Sequence, residues 1–157
     1  MDIPKDKKVV PIVFDTYLAV IKNSVGSKMF KNLYLDIDGK KVDATQDGYL
    51  SCAFFVSSVL TISKLIKEVH ATVEGTLRDM KESGWIEIPE PKVGSVLIWG
   101  KSNFGEQGGV HSHIGFYIDL DTAISNNSLR DGTPTEHPWT FNGKRKIEAI
   151  FWNPKLD

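Results

Sequence analysis

Asp47-Gly-Tyr-Leu-Ser-Cys52-Ala-Phe-Phe-Val-Ser-Ser-Val-Leu60 holds the only cysteine of the chain and opens a helical pattern. Cys52, Phe55, Val56, Val59 and Leu60 recur at i, i+3, i+4, i+7 and i+8, which is one face of a helix. Ser51 suits the N-cap, so Cys52 is read as the first helical residue. A thiol there meets unpaired backbone N–H groups at the positive end of the helix dipole, a setting that lowers its pKa and favours the thiolate. The competing reading is a small apolar residue filling a core helix, the commoner fate of a lone cysteine. The reading of this stretch turns on the strands that follow it.

Upstream, Pro11 precedes a helix whose stripe is Phe14, Tyr17, Leu18 and Ile21, with Gly26 as its stop. Leu33 to Asp43 alternates around Asp38-Gly39, a hairpin signal. Asp36-x-Asp38-Gly39 resembles the start of a calcium loop, but the later acidic ligands are missing. Downstream, the cysteine helix is expected to reach about Leu65, and a further helix runs from Thr72 to Ser83 with Val73, Leu77 and Met80 inward and Gly84 as its stop. Trp85 to Ile88 alternates, and Ser95–Trp99 is a short apolar strand. Lys101 to Gly109 is a glycine-rich loop. Ser112–Asp119 alternates cleanly, with Ile114, Phe116 and Ile118 on one face and His113, Gly115 and Tyr117 on the other. Ala123–Asn127 returns, a polar loop leads to Glu136–Phe141, and Lys146–Trp152 is a last strand. Helices first and an antiparallel meander second predict an α+β fold in which the cysteine helix packs on an antiparallel sheet.

The 157 residues fit one domain, 1–157, large enough to bury a core without staples. A net charge of −1 draws neither nucleic acid nor anionic membrane. A single cysteine excludes an internal disulfide and a Cys-rich zinc site. No apolar run is long enough to span a membrane, and the N-terminus lacks the design of a signal peptide.

A cysteine nucleophile needs a base and a group that orients the base. His113, on the polar face of a regular strand, is the candidate base. A turn at Leu120-Asp121 pairs His113 with Ser128 and Gly115 with Asn126, which sets Asn126 diagonally beside His113 as the orienting group. A slip of one residue would set Ser125 or Asn127 there instead. His137 is the rival for this third place or a residue lining the cleft. His111 lies just before the strand, and His70 is expected at the surface. His111 and His113 with His137 or Asp119 would make a metal set, but no His-Glu-x-x-His or cysteine pair accompanies them, and neither metal nor cofactor is expected. The backbone N–H of Cys52 is a donor for an oxyanion, with Gln46 and Tyr49 as further cleft candidates.

Ser51-Cys-Ala-Phe-Phe-Val, Lys92-Val-Gly-Ser-Val and His113-Ile-Gly-Phe-Tyr117, in this order, resemble the NlpC-type cell-wall cysteine peptidases, which are papain-like and related to the CHAP amidases. Ser51 and Ala53 stand where that motif usually has Asp and Ser, and Ser95 stands where it has Asp. The resemblance covers roughly Gln46 to Trp152 and leaves residues 1–45 unexplained. It implies a papain-like fold and a thiol hydrolase of peptidoglycan stem peptides, with Cys52 and His113 as the dyad. It also puts the third polar residue about a dozen positions after the histidine, at Ser125 or Asn126. The alternatives are an N-acetylmuramoyl-L-alanine amidase of the same fold and a cell-wall binding module with a degenerate site. In each case the partner would be peptidoglycan or its peptide fragments.

Overall fold

The computed structural model describes residues 1, 6–103 and 110–157. Its centre is the cysteine helix α2, Cys52–Ile62, in which Ala53, Phe55, Val56, Ser57, Ser58, Val59 and Leu60 are all buried. Burial on nearly every side explains why its apolar residues outgrow a single stripe. Ser51 holds the N-cap position, but its hydroxyl makes no capping bond and is buried without a partner. The first helix, α1, spans Val13–Asn23 and buries Tyr17 and Ile21. A hairpin follows, with β1 at Tyr34–Ile37, β2 at Lys40–Asp43 and its turn at Asp38-Gly39, both at positive φ. Helix α3, Val73–Glu82, is capped by the Thr72 hydroxyl, which accepts from the Gly75 N–H at 3.1 Å.

Six strands form one antiparallel sheet in the order β3-β8-β4-β5-β6-β7. They are β3 at Ile86–Glu87, β4 at Val96–Asn103, β5 at Val110–Asp119, β6 at Thr122–Asn126, β7 at Pro134–Pro138 and β8 at Ile147–Trp152. The fold is α+β. One face of the sheet sends Val96, Ile98, Ile114, Phe116 and Ile124 into the core shared with α1 and α2. There the Phe116 ring meets Phe55 and Tyr17 edge-on at 5.5 and 5.8 Å. The other face gathers Leu97, Trp99, Tyr117 and Ala123 under Trp139 and Phe141. His113 belongs to this second face by strand alternation.

Four expectations are corrected. The stretch leading to Glu136–Phe141 contains an edge strand, β7, with proline at both ends, where a missing N–H does no harm to the ladder. Residues 101–103 of the expected loop extend β4, whereas 104–109 lie outside the described residues. Strand β5 begins at Val110, so His111 lies within it. His70 is only partly exposed and is tied down: its Nε2 sits 2.9 Å from Asp79 Oδ2, and its backbone N–H donates to Ser57 Oγ at 2.8 Å. This joins α2 to α3 across the loop between them.

Candidate active site

The hairpin register decides which residue meets His113. At the turn Asp119 pairs with Thr122, as the sequence predicts, but an irregularity between Tyr117 and Asp119 shifts the ladder by one residue. Beyond it Tyr117 pairs with Ala123 and Gly115 with Ser125, not with Asn126. The residue diagonal to His113 is therefore Ser125. On the next strand Ala123 pairs with His137, which places His137 on the other diagonal of Ser125. His113, Ser125 and His137 thus form a line across β5, β6 and β7. Ser125 Oγ lies 2.8 Å from His113 Nε2 and 2.7 Å from His137 Nε2.

Space for this line comes from Gly115. A methyl group there would lie 2.6 Å from Ser125 Cβ and 3.0 Å from Trp99 Cζ3. The Trp99 ring fills the gap and approaches His113, His137 and Phe141 at 5.5, 5.6 and 5.2 Å between centroids. Its N–H donates to the Trp139 carbonyl at 2.7 Å. Phe141 stacks on His137 with centroids 4.0 Å apart. Both imidazoles are held by ring packing as well as by hydrogen bonds.

Cys52 reaches the site from the other side of the sheet. The backbone N–H groups of Ile114, Ala53 and Cys52 itself face its sulfur and favour the thiolate, and that of Ile114 belongs to the peptide joining His113 to Ile114. Strand β6 pairs with β5 only from Gly115 onward, so the start of β5 is open to α2 at this point. The loop before the helix is set by a close crossing of two glycines. A Cβ on Gly48, at φ +92°, would stand 2.4 Å from the Gly132 carbonyl oxygen. Asn126 secures the same loop, because its Nδ2 donates to the Gly48 carbonyl at 2.7 Å. The Asn126 amide is thus turned to the loop before α2 instead of His113.

Two clefts meet at His113. One, of about 480 Å³, is lined by Tyr49, Cys52, His111 and His113, with Leu35 and Val73 as apolar walls. The other, of about 760 Å³, is lined by His113, Ser125, Asn126, His137, Phe141 and Arg145. Gln46 is exposed at positive φ and lines neither cleft. Among the described residues, no three His, Cys, Asp or Glu side chains converge as a metal site.

Burial is the strongest electrostatic influence here. Although Cys52 is only half-buried by surface, the surrounding protein pushes its thiol above the usual value, against the N–H groups of Ile114 and Ala53 and the charge of Arg145. The helix start therefore supplies the donors that the sequence predicts, but desolvation outweighs them. His113 is held well below the ordinary histidine value by burial, then by Arg145 and His137. His137 is lowered by burial and by Arg145, with the Pro138 carbonyl working the other way. Burial also lowers Arg145, and the nearby Cys52 opposes this. These directions leave the Cys52 thiol and the His113 imidazole uncharged at neutral pH. In the sequence Asn126 is preferred to Ser125, which enters as the outcome of a register slip and as one of two positions the family spacing reaches, and nothing in Lys144-Arg-Lys marks Arg145 for the site.

Comparison of the chain with protein-family models finds no match, and comparison with curated proteins finds none either. What the site and fold define is a cysteine at a helix start, facing the peptide of a buried histidine on an antiparallel α+β scaffold. No helix among the described residues is long and apolar enough to cross a membrane.

Proposed function

We propose that this chain is a papain-like thiol hydrolase that cleaves amide bonds in peptidoglycan stem peptides through an acyl-enzyme. The observation that carries the reading is that Cys52, at a helix start, and His113, on a strand, line one cleft, with the N–H of the His113–Ile114 peptide favouring the Cys52 thiolate. The substrate class comes from the motif resemblance of residues 46–152 to the cell-wall peptidases.

The chemistry follows from the resting state. His113 Nε2 is engaged by Ser125, so Nδ1 is the nitrogen that takes the Cys52 proton. As the proton leaves, the sulfur attacks the amide carbonyl carbon and the carbonyl oxygen becomes an oxyanion. Backbone N–H groups at the start of α2 are suited to hold it. His113 returns the proton to the departing amine, and the C–N bond breaks to leave a thioester. Water then attacks the thioester as His113 accepts its proton, which releases the acid and restores the thiol. An uncharged dyad gives up its proton only as attack proceeds, which keeps the resting cysteine unreactive.

Incubation with purified peptidoglycan, followed by mass spectrometry of the released fragments, tests the proposal. Cleavage within the stem peptide is expected; cleavage between sugar and peptide would assign the amidase activity instead. Cys52→Ala is a small change and should keep the fold while lowering turnover by at least about 10³-fold. Turnover by the alanine variant equal to that of the parent would rule out Cys52 as nucleophile.

A further inference from the structure

We propose that Ser125 and His137 are positioning residues that keep the proton of His113 on Nε2, and that protonation of His137 undoes this lock. The inference rests on the reading of His113 as the base, and it specifies how that base is controlled.

The direction of every bond in the line follows from one carbonyl. His137 Nδ1 lies 2.9 Å from the Pro138 carbonyl oxygen, which can only accept. In neutral His137 the proton is therefore on Nδ1, and Nε2 is an acceptor. Ser125 has one hydroxyl proton and must donate it to His137 Nε2, 2.7 Å away. Its oxygen then accepts from His113 at 2.8 Å, so His113 carries its proton on Nε2. Nδ1 keeps its lone pair, as a base for Cys52 requires. A backbone carbonyl on the edge strand thereby sets the tautomer of a histidine two strands away.

The same line reverses when His137 is charged. Protonated His137 carries a proton on Nε2 as well, and this N–H donates to Ser125 Oγ. The serine proton turns towards His113 Nε2, which must now accept. His113 releases its Nε2 proton to solvent and takes one on Nδ1, so the net uptake is the single proton on His137. With Nδ1 protonated, His113 has no lone pair for the Cys52 thiol. The groups around His137 fit this role. Arg145, from the segment before β8, is the cation nearest to it, and Lys144 lines the same cleft. His113 on β5 faces it through Ser125, while Trp99 on β4 and the stacked Phe141 are uncharged. Burial of the ring and the charge of Arg145, against the pull of the Pro138 carbonyl, hold His137 below the ordinary histidine value.

The experiment is nitrogen-15 NMR of the imidazoles in Cys52→Ala protein, which reports protonation at each ring nitrogen without any turnover. Near pH 7.5 His113 should be protonated on Nε2 and bare on Nδ1. On acidification His113 should change tautomer with the midpoint of His137. Ser125→Ala and His137→Phe should each leave His113 as a mixture of tautomers near neutral pH, whereas Ser125→Thr, which keeps the hydroxyl, should preserve the lock. A His113 found protonated on Nδ1 near neutral pH, or one indifferent to both Ser125→Ala and His137→Phe, overturns the proposal. Should one variant lose its dispersed amide spectrum, the other and the titration of the parent still decide. In catalytically competent protein, His137→Phe should lower kcat about 10- to 100-fold with KM within about twofold. Loss of peptidoglycan cleavage in the parent would count against the hydrolase reading alone, because the tautomers are read in a variant that cannot turn over.

Discussion

Gly115 shows how little space separates a strand from a site. Its glycine is required by volume: a Cβ would come 2.7 Å from the Ile124 carbonyl oxygen as well as 2.6 Å from Ser125 Cβ. Gly115→Ala should therefore push β6 away from β5 and stretch the Ser125–His113 bond. Its expected cost is about 1–3 kcal/mol in urea unfolding, with activity falling further than stability would explain. An alanine variant with parental stability and turnover would show that the two strands can separate freely here. The requirement was hidden in the sequence, where Gly115 reads only as the residue between His113 and Tyr117 on the polar face. The positions of Cys52 and His113 were legible, because Cys52 opens a helical period and His113 lies on a strictly alternating strand. The choice between Ser125 and Asn126 was not, since one irregularity near Ile118 decides it, and alternation says nothing about where a ladder slips.

At the scale of elements, α2 is held at its two ends by different means. Its start is fixed by the Gly48–Gly132 crossing and by Asn126. Beyond its far end, the segment leading to α3 is fixed by the Asp79 carboxylate on α3. Asp79 accepts from the backbone N–H groups of Lys67 and Glu68 at 3.1 and 3.0 Å, from Ser83 Oγ at 3.0 Å, and is bonded to His70. Removing it leaves several part-buried donors without an acceptor at once, which costs more than the loss of one exposed bond. Asp79→Ala should lower stability by about 2–4 kcal/mol while leaving the geometry around Cys52 intact. Matched hydrogen-exchange protection of α2 and α3 in variant and parent would contradict this. Periodicity placed α1, α2, α3 and the central strands, because their buried faces are long and regular. It missed β7, whose prolines and polar residues carry no alternating apolar signal, and so it could not place His137 on the sheet.

For the whole molecule, the histidines and carboxylates lowered in the fold predict how stability depends on pH on the acid side, and there they act in one direction. In an unfolded chain a histidine takes its proton near 6.5. His113 and His137 are both lowered in the fold, chiefly by burial, so between their folded values and about 6.5 the unfolded state binds more protons. Stability should therefore begin to fall as the pH drops through the histidine range. Carboxylates add a second stage. Asp79 is held down at about 2: burial works against this, but the bonds from His70, Lys67, Glu68 and Ser83 prevail. Asp43, at the base of the β1–β2 hairpin, is also lowered; burial opposes this, and the bonds from Asp47, Thr45 and Asn32 overcome it. Unfolded carboxyls protonate near 4 while these remain ionised, so their contribution is complete above about pH 4 and is lost below it. The urea midpoint should accordingly decline in two steps on acidification from about pH 7.5. His137→Phe should shrink the first step and Asp79→Asn the second, each leaving the other in place, since the two sites share no hydrogen bond. A midpoint constant between about pH 7.5 and 5 would mean that the line of histidines accepts protons without loss of the fold.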